Sequence, residues 1–379
     1  MFDGISAQFS DFIHDEKDSI LSDLRKLVES ESPSTSLDHL ASTAEVLKEM
    51  INRITGVLAT EDLVDQKPIL SASYNNKAGN NILILCHYDT VWPAGTLSRL
   101  PFQIHDNICT GPGVFDMKSG IIMSLYAMKF LASFPVKRSI TLLITPDEEL
   151  GSESSKDIII RYARKSSAVL VLEASEKGML KVGRKGVGTF KVEALGRASH
   201  AGLNPEAGIN AISEISKIIQ DVEKFASVER GTTINVGIVK GGTRTNVVPE
   251  TAEIEVDVRV KTESESRRIE ALFKALKPHD GRIKLSITGG VERPPMERND
   301  RNYELFRKVQ SIGNEIGMHV ESCEVGGASD GNFVSAEGIP VIDGMGAVGE
   351  GAHSISEKIQ ISETLDRILL LAATLLYLQ

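Results

Sequence analysis

No two cysteines in this chain are spaced as CxxC, and the three present, Cys86, Cys109 and Cys323, are odd in number. That usage fits a reducing compartment with free, mostly buried thiols rather than a disulfide framework. No basic block stands out, and the formal net charge is −10, which argues against a nucleic-acid partner. The longest apolar run, residues 368–378, is shorter than the ~20 residues a bilayer span requires and reads as a buried C-terminal helix. The N-terminal stretch MFDGISAQFSDFIHDEKD is acidic and has neither the basic nor the apolar region of a signal peptide. Internal repeats and low-complexity linkers are also missing. The expectation is a cytoplasmic globular protein with neither a membrane nor a nucleic-acid partner.

What is present has the composition of a soluble enzyme, 41% hydrophobic and 25% charged. A length of 379 residues exceeds the usual single domain, so two domains are expected. Helical periodicity over about 6–31 and 38–54 precedes a strand near 69–73. Next comes the apolar strand Asn81-Ile82-Leu83-Ile84-Leu85-Cys86, which ends in His87-Tyr88-Asp89. A glycine-rich turn at 111–120 runs into an apolar helix at 121–131. Strand 140–145 ends in Asp147-Glu148-Glu149, and strand 168–172 ends in Glu173. Strands that alternate with helices indicate an α/β layer with a mainly parallel sheet.

The rhythm changes after about residue 184. Segments 187–195, 232–240, 250–261 and 282–288 alternate, and 208–228 and 263–276 are helical, giving β-α-β-β-α-β, the ferredoxin-like unit. The α/β pattern resumes with a helix at 300–316 and a strand at 340–342. The expected organisation is a catalytic α/β domain of residues 1–184 and 294–379, interrupted by an inserted α+β domain at 185–293.

His87, the Glu148/Glu149 pair and Glu173 all fall at the C-terminal ends of apolar strands, the edge where open α/β sheets bind ligands. Asp116, in the turn before a helix, lies on a loop able to reach that edge. Adjacent residues on an extended chain point in opposite directions, so Glu148 and Glu149 are expected to divide two tasks, metal binding and proton transfer. The plainer alternative is a solvated acidic loop and a histidine hydrogen-bonded in the core.

These positions resemble those of the co-catalytic di-zinc exopeptidases and deacylases, a family that includes glutamate carboxypeptidases, aminoacylases, acetylornithine and succinyl-diaminopimelate deacylases, and related dipeptidases. The matching blocks are HYDTV at 87–91, GPGVFDMKSG at 111–120, DEELGS at 147–152 and LEA at 172–174. They continue with ASHAG at 198–202, TNVVP at 245–249, GGASD at 326–330 and GAHS at 351–354. They run in the family's order over nearly the whole chain, and are most similar to the folate-cleaving glutamate carboxypeptidase branch. The resemblance implies a hydrolase-like zinc-peptidase α/β fold with an inserted ferredoxin-like lid and dimerisation domain.

It further implies two Zn2+, with Co2+ or Mn2+ as substitutes. His87 and Glu173 would bind one ion, Glu149 and His353 the other, and Asp116 would bridge them, with a cis peptide bond beside it. Asp89 would orient His87 as a hydrogen-bonding carboxylate. Glu148 would be the general base for a hydroxide bridging the metals. His200 would stabilise the oxyanion, with Asn246 nearby, and Arg293 would clamp a substrate carboxylate. Arg259 reads as part of a solvated strand face. The implied reaction is hydrolysis of a peptide or N-acyl amino acid that releases an amino acid, foremost C-terminal glutamate; N-acyl-amino-acid deacylation is the alternative. A homodimer through the inserted domain is expected, with His200 acting across the dimer, in trans rather than in cis; the plainer alternative is that His200 merely caps a strand end.

One rival pattern exists. Gly327-Ala328-Ser329-Asp330-Gly331 satisfies GxSxG, and Asp343 and His353 follow in the order of an α/β-hydrolase triad. Against it, Asp343 and His353 are close in sequence, no HGGG-type loop occurs, and the HYD, DMK and DEE blocks would have no role. Neither GxxxxGK[ST] nor HExxH is present.

Overall fold

The computed structural model describes residues 3–74 and 81–378. The chain falls into two compact units, one of residues 1–183, 298–324 and 329–379, the other of residues 184–297 and 325–328. Residues 1–2 and 379, at the outer limits of the expected catalytic domain, lie outside the described residues.

The first unit is built on a six-stranded sheet. Its strands, in spatial order, are Thr60–Val64, Lys67–Tyr74, Ile140–Thr145, Ile82–His87, Ala168–Val171 and Val341–Ile342. The last four run parallel, and the first two form an antiparallel hairpin along one edge. Strands 82–87, 140–145 and 168–171 are buried at every residue, as aliphatic strands of a two-sided parallel sheet should be. Helices Asp3–Glu29, Leu37–Thr55, Ser119–Leu131, Asp300–Glu315 and Ile361–Tyr377 contribute to the same core. Helix 119–131 is apolar nearly all round and correspondingly buried. Its first turn packs against the chain just beyond strand 168–171: a Cβ on Gly120 would lie 2.2 Å from the Leu172 carbonyl oxygen.

Several elements differ from the sequence expectation. The C-terminal helix begins at Ile361, ahead of the apolar run at 368–378; its first turns carry Ser362, Glu363, Asp366 and Arg367, which a search for apolar runs passes over. A small antiparallel sheet of Gly349–Glu350, Lys358–Gln360, Ile108–Thr110 and Gln103–His105 was not anticipated. Strands of two or three residues carry no readable periodicity.

The second unit has the strands Gly186–Leu195, Thr233–Gly241, Thr251–Val260 and Lys284–Arg293, with helices Ala211–Glu223 and Glu263–Ala275. All neighbouring strands are antiparallel, and the order by chain position is second, third, first, fourth. This is the β-α-β-β-α-β arrangement read from the sequence. Helix 211–223 is shorter than expected, and the Asn210 side chain fixes its start by accepting from the Ser213 N–H. Phe190 stacks on Phe273 at 3.9 Å inside a core shared with Ile254, Val256 and Ile218. The opposite strand face is charged, with Lys191 2.8 Å from both Glu193 and Glu253. Arg259 pairs with Asp257 at 3.0 Å.

All three cysteines are free, and burial pushes the Cys86 and Cys109 thiols up to about 12. Among the described residues, no helix is long and apolar enough to cross a membrane.

The packing of Gly120 is testable. Gly120→Ala puts a methyl into the Leu172 carbonyl, and overpacking of this kind costs about 1–3 kcal/mol. The denaturation midpoint should fall accordingly; an unchanged midpoint would contradict the close approach.

Candidate metal centre

Strand register brings the site together. In the parallel sheet His87 is level with Thr145, and Leu85 is level with Val171. Glu173, two residues beyond Val171, therefore emerges beside His87, and Glu148 and Glu149 follow Thr145 on the same edge. The pair lies in a short 3-10 turn, Glu148–Leu150, rather than on extended chain. The two carboxylates thus diverge by the turn of a helix, not by strand alternation.

Asp116 stands at the centre. His87 Nε2 is 3.3 Å from Asp116 Oδ1 and 3.3 Å from Glu173 Oε1. His353 Nε2 is 3.3 Å from Asp116 Oδ2 and 3.2 Å from Glu149 Oε2. Two ligand atoms on a tetrahedral ion at 2.0–2.1 Å lie about 3.3–3.4 Å apart. All four spacings therefore match neighbouring positions around two cations that share Asp116. Imidazole with carboxylate is a donor set for zinc and its divalent neighbours, so the residues fit such a pair. Glu148 is buried, and its donor atoms lie within 4.8 Å of those of His87 and Glu173.

The surroundings hold this geometry. Asp89 is fully buried and accepts from the backbone N–H groups of Glu148, at 3.1 Å, and Glu149, at 3.2 Å, and from Ser34 Oγ at 2.7 Å. His87 Nδ1 lies 3.0 Å from the Asp89 carbonyl and 3.3 Å from its carboxylate, which leaves Nε2 for the ligand position. Upstream of Asp116 the chain turns at Gly113, with φ +73°, where a Cβ would meet Thr90 Cγ2 at 2.6 Å. The Asp116–Met117 peptide is cis. Buried Lys118 donates to the carbonyls of Leu27 and Ser30, fastening the loop to the end of helix 3–29.

Charge is concentrated here. Burial alone would depress His87, yet its pairing with Asp116, Asp89 and Glu173 holds it well above the usual imidazole range. Hydrogen bonds to Asp116 and Glu149 raise His353 to about 10. Burial lifts Glu149 to about 7, helped by the charges of Asp116 and Glu148 and opposed by His353. Asp116 is held low by both imidazoles despite its burial.

The other expected residues divide. His200 and Asn246 come together in the second unit: Ser199–His200 pairs with Val247–Val248, and the Ala201 N–H donates to the Asn246 carbonyl at 3.0 Å. His200 is exposed, and its Nδ1 accepts the N–H groups of Gly202 and Leu203 at 3.1 Å each. The neutral ring therefore carries its proton on Nε2. Arg293 is the buried last residue of strand 284–293, opposite Val187.

Ser329 is fully buried; its hydroxyl donates to Asp343 and accepts the Gly331 N–H, while His353 engages Asp116 and Glu149. The GxSxG match is therefore a buried polar turn, not a nucleophile elbow. Sequence reasoning missed one buried acid beside the site, Glu357. Nothing in SEKIQI sets it apart from exposed Glu350.

The model of Peptidase family M20/M25/M40 matches residues 83–377. Carboxypeptidase G2 of Pseudomonas sp. strain RS-16 is 28% identical over 381 residues, 96% of this chain and 89% of that protein. The succinyl-diaminopimelate desuccinylase of Hydrogenovibrio crunogenus is 28% identical over 312 residues, covering 76% and 81%. Among solved structures, an M20-family metallo-carboxypeptidase of Sulfolobus solfataricus superposes with TM-score 0.77 at 21% identity, over 94% of this chain and 99% of that one.

Metal uptake should be proton-linked. Hydrogen bonds to Asp116 and Glu149 raise the His353 imidazole to about 10, so a cation that takes this ring as a ligand at pH 7 must displace its proton. Calorimetry in two buffers of different ionisation enthalpy should show about one or more protons released, and apparent affinity should rise as pH rises towards 10. Binding without proton release at pH 7 would contradict the charge arrangement.

Proposed function

The chain belongs to Peptidase family M20/M25/M40 and is a metallohydrolase of carboxypeptidase-like type, and from that premise we propose that it hydrolyses an amide or peptide bond to release an amino acid, foremost a C-terminal glutamate. The observation that carries the reaction is Asp116, set between two imidazoles, with Glu148 beside His87. Similarity to carboxypeptidase G2 along almost the whole chain supports a carboxypeptidase substrate. Similarity to a succinyl-diaminopimelate desuccinylase favours N-acyl-amino-acid deacylation as the second reading.

His87 and Glu173 would hold one divalent cation, Glu149 and His353 the other, with Asp116 between them; zinc, cobalt and manganese all suit these donors. Such a pair supplies Lewis acidity, which makes a water nucleophilic near neutral pH and polarises the scissile carbonyl. Glu148 takes the proton of the attacking water and delivers it to the leaving nitrogen. Asp89 fixes both the His87 ring and the turn that carries Glu148. His200, a donor at Nε2, hydrogen-bonds the developing oxyanion, with Asn246 adjacent. Arg293 pairs with the substrate carboxylate through its planar guanidinium.

We assign a homodimer through the second unit, residues 185–293 forming the lid and dimerisation domain. Strand 233–241 is a sheet edge exposing Ile238 and Val239, which suits pairing with a second copy across a two-fold axis.

Three experiments test this reading. Glu148→Ala should keep its metal while kcat falls by about 10²–10⁴-fold, whereas Glu149→Ala should lose one metal equivalent. Metal analysis with the opposite pattern would reverse the assignment, and no hydrolysis across a panel of dipeptides and N-acyl amino acids with added zinc, cobalt or manganese would overturn the function. For His200 acting in trans, mixing Glu148→Ala with His200→Ala subunits should restore activity, since each heterodimer then has one site with both groups. A mixture that stays inactive despite proven subunit exchange would exclude action in trans.

A further inference from the structure

Glu357 is fully buried, and its carboxylate accepts four N–H groups. Oε1 accepts from the backbone of Phe115, at 2.9 Å, and Asp116, at 3.1 Å; Oε2 accepts from the backbone of Gly113, at 3.0 Å, and from Trp92 Nε1, at 2.8 Å. Three of the four donors belong to the turn that delivers Asp116. Glu357 itself ends the loop that delivers His353, and its own N–H closes that loop on the Ser354 carbonyl at 2.9 Å.

The small antiparallel sheet explains why such a clamp is needed. Strand 108–110 leads into the Asp116 turn, and strand 358–360, paired with it, leaves the His353 loop. The ladder stops at the Lys358–Thr110 pair. Beyond it, the backbone N–H groups of residues 113, 115 and 116 have no facing strand. The Glu357 carboxylate takes the place of strand carbonyls, its two oxygens accepting all three of these N–H groups. His353 needs the anchor as well, because its φ of +61° is uncommon for a non-glycine residue.

We propose that Glu357 is a positioning residue that keeps Asp116 and His353 in register for two divalent cations, so that its loss weakens the binding of both. Asp116 has one carboxylate oxygen 3.3 Å from His87 and the other 3.3 Å from His353. Any displacement of its backbone therefore disturbs both ligand sets together. The inference rests on the two-cation reading of the site.

The test is Glu357→Gln, which keeps the size of the side chain but turns an NH2 group towards N–H donors. In competition with a chromophoric chelator, its affinity for Zn2+ should fall by roughly 10–100-fold at both sites, the usual effect of losing a partner behind metal ligands. Trp92 is the only tryptophan, so its emission should shift in the variant. A merely structural role would lower the thermal midpoint of the metal-free protein and leave both Zn2+ affinities unchanged, and that result overturns the inference. Should Glu357→Gln fail to fold, Trp92→Phe removes one donor to the same carboxylate; Zn2+ affinity should then fall by roughly 2–10-fold, and unchanged affinity overturns the proposal. Wild-type protein that binds fewer than two Zn2+ per chain overturns the two-cation reading and this inference with it. Two Zn2+ in the wild type with unaltered affinity in the variant overturns the inference alone.

Discussion

The carboxylate of Asp116, shared between His87 and His353, sets the constraint that the rest of the first unit answers. Glu148, Glu149 and Glu173 crowd the same sheet edge, and Asp89 lies directly behind. Two like charges about 5 Å apart at an effective dielectric near 20 repel by about 3 kcal/mol. An assembly of this density holds together only with positive charge inside it. The neighbouring carboxylates accordingly raise both imidazoles above their usual range, and burial raises Glu149. Divalent cations would provide positive charge in more concentrated form, and the 3.2–3.3 Å spacings match neighbouring ligand atoms around such ions.

Holding that many acids still requires a rigid floor. The parallel strands 82–87, 140–145 and 168–171 provide it, because aliphatic side chains bury them along their whole length and their register brings His87, Thr145 and Glu173 level. Helix 119–131, packed against Leu172 through Gly120, fixes the far end of the Asp116 turn. Its near end is held by Glu357. Local hydrogen bonding thus does for the loop side what sheet pairing does for the strand side.

This division explains what was legible in the sequence. An apolar run that ends in a histidine or glutamate is visible without a structure, so His87, Glu148, Glu149 and Glu173 could be picked out residue by residue. Two-residue alternation likewise identified the antiparallel unit, because strand 251–260 buries every second side chain. His353 was readable only through the GAHS block, since no periodic element ends at it. Glu357 was not readable at all: its partners are backbone N–H groups some 240 residues away in the chain, and backbone donors have no residue type to recognise. Ser329 fails in the opposite sense. Its GxSxG spacing is complete, yet the serine is fully buried with its hydroxyl on Asp343, because a short glycine-flanked turn serves a polar core as well as a nucleophile.

The two histidines differ in one more respect that bears on chemistry. The His87 side chain is 2% exposed and the His353 side chain 51%. One half of the centre is therefore walled by the sheet, and the other opens to solvent from a loop whose backbone is held by hydrogen bonds rather than by a ladder. Glu148, buried on the His87 side, is shielded from bulk water, which suits the proton-transfer role proposed for it. The more exposed side of the centre is thus held by loops, and this is where a carboxylate with four N–H partners is buried.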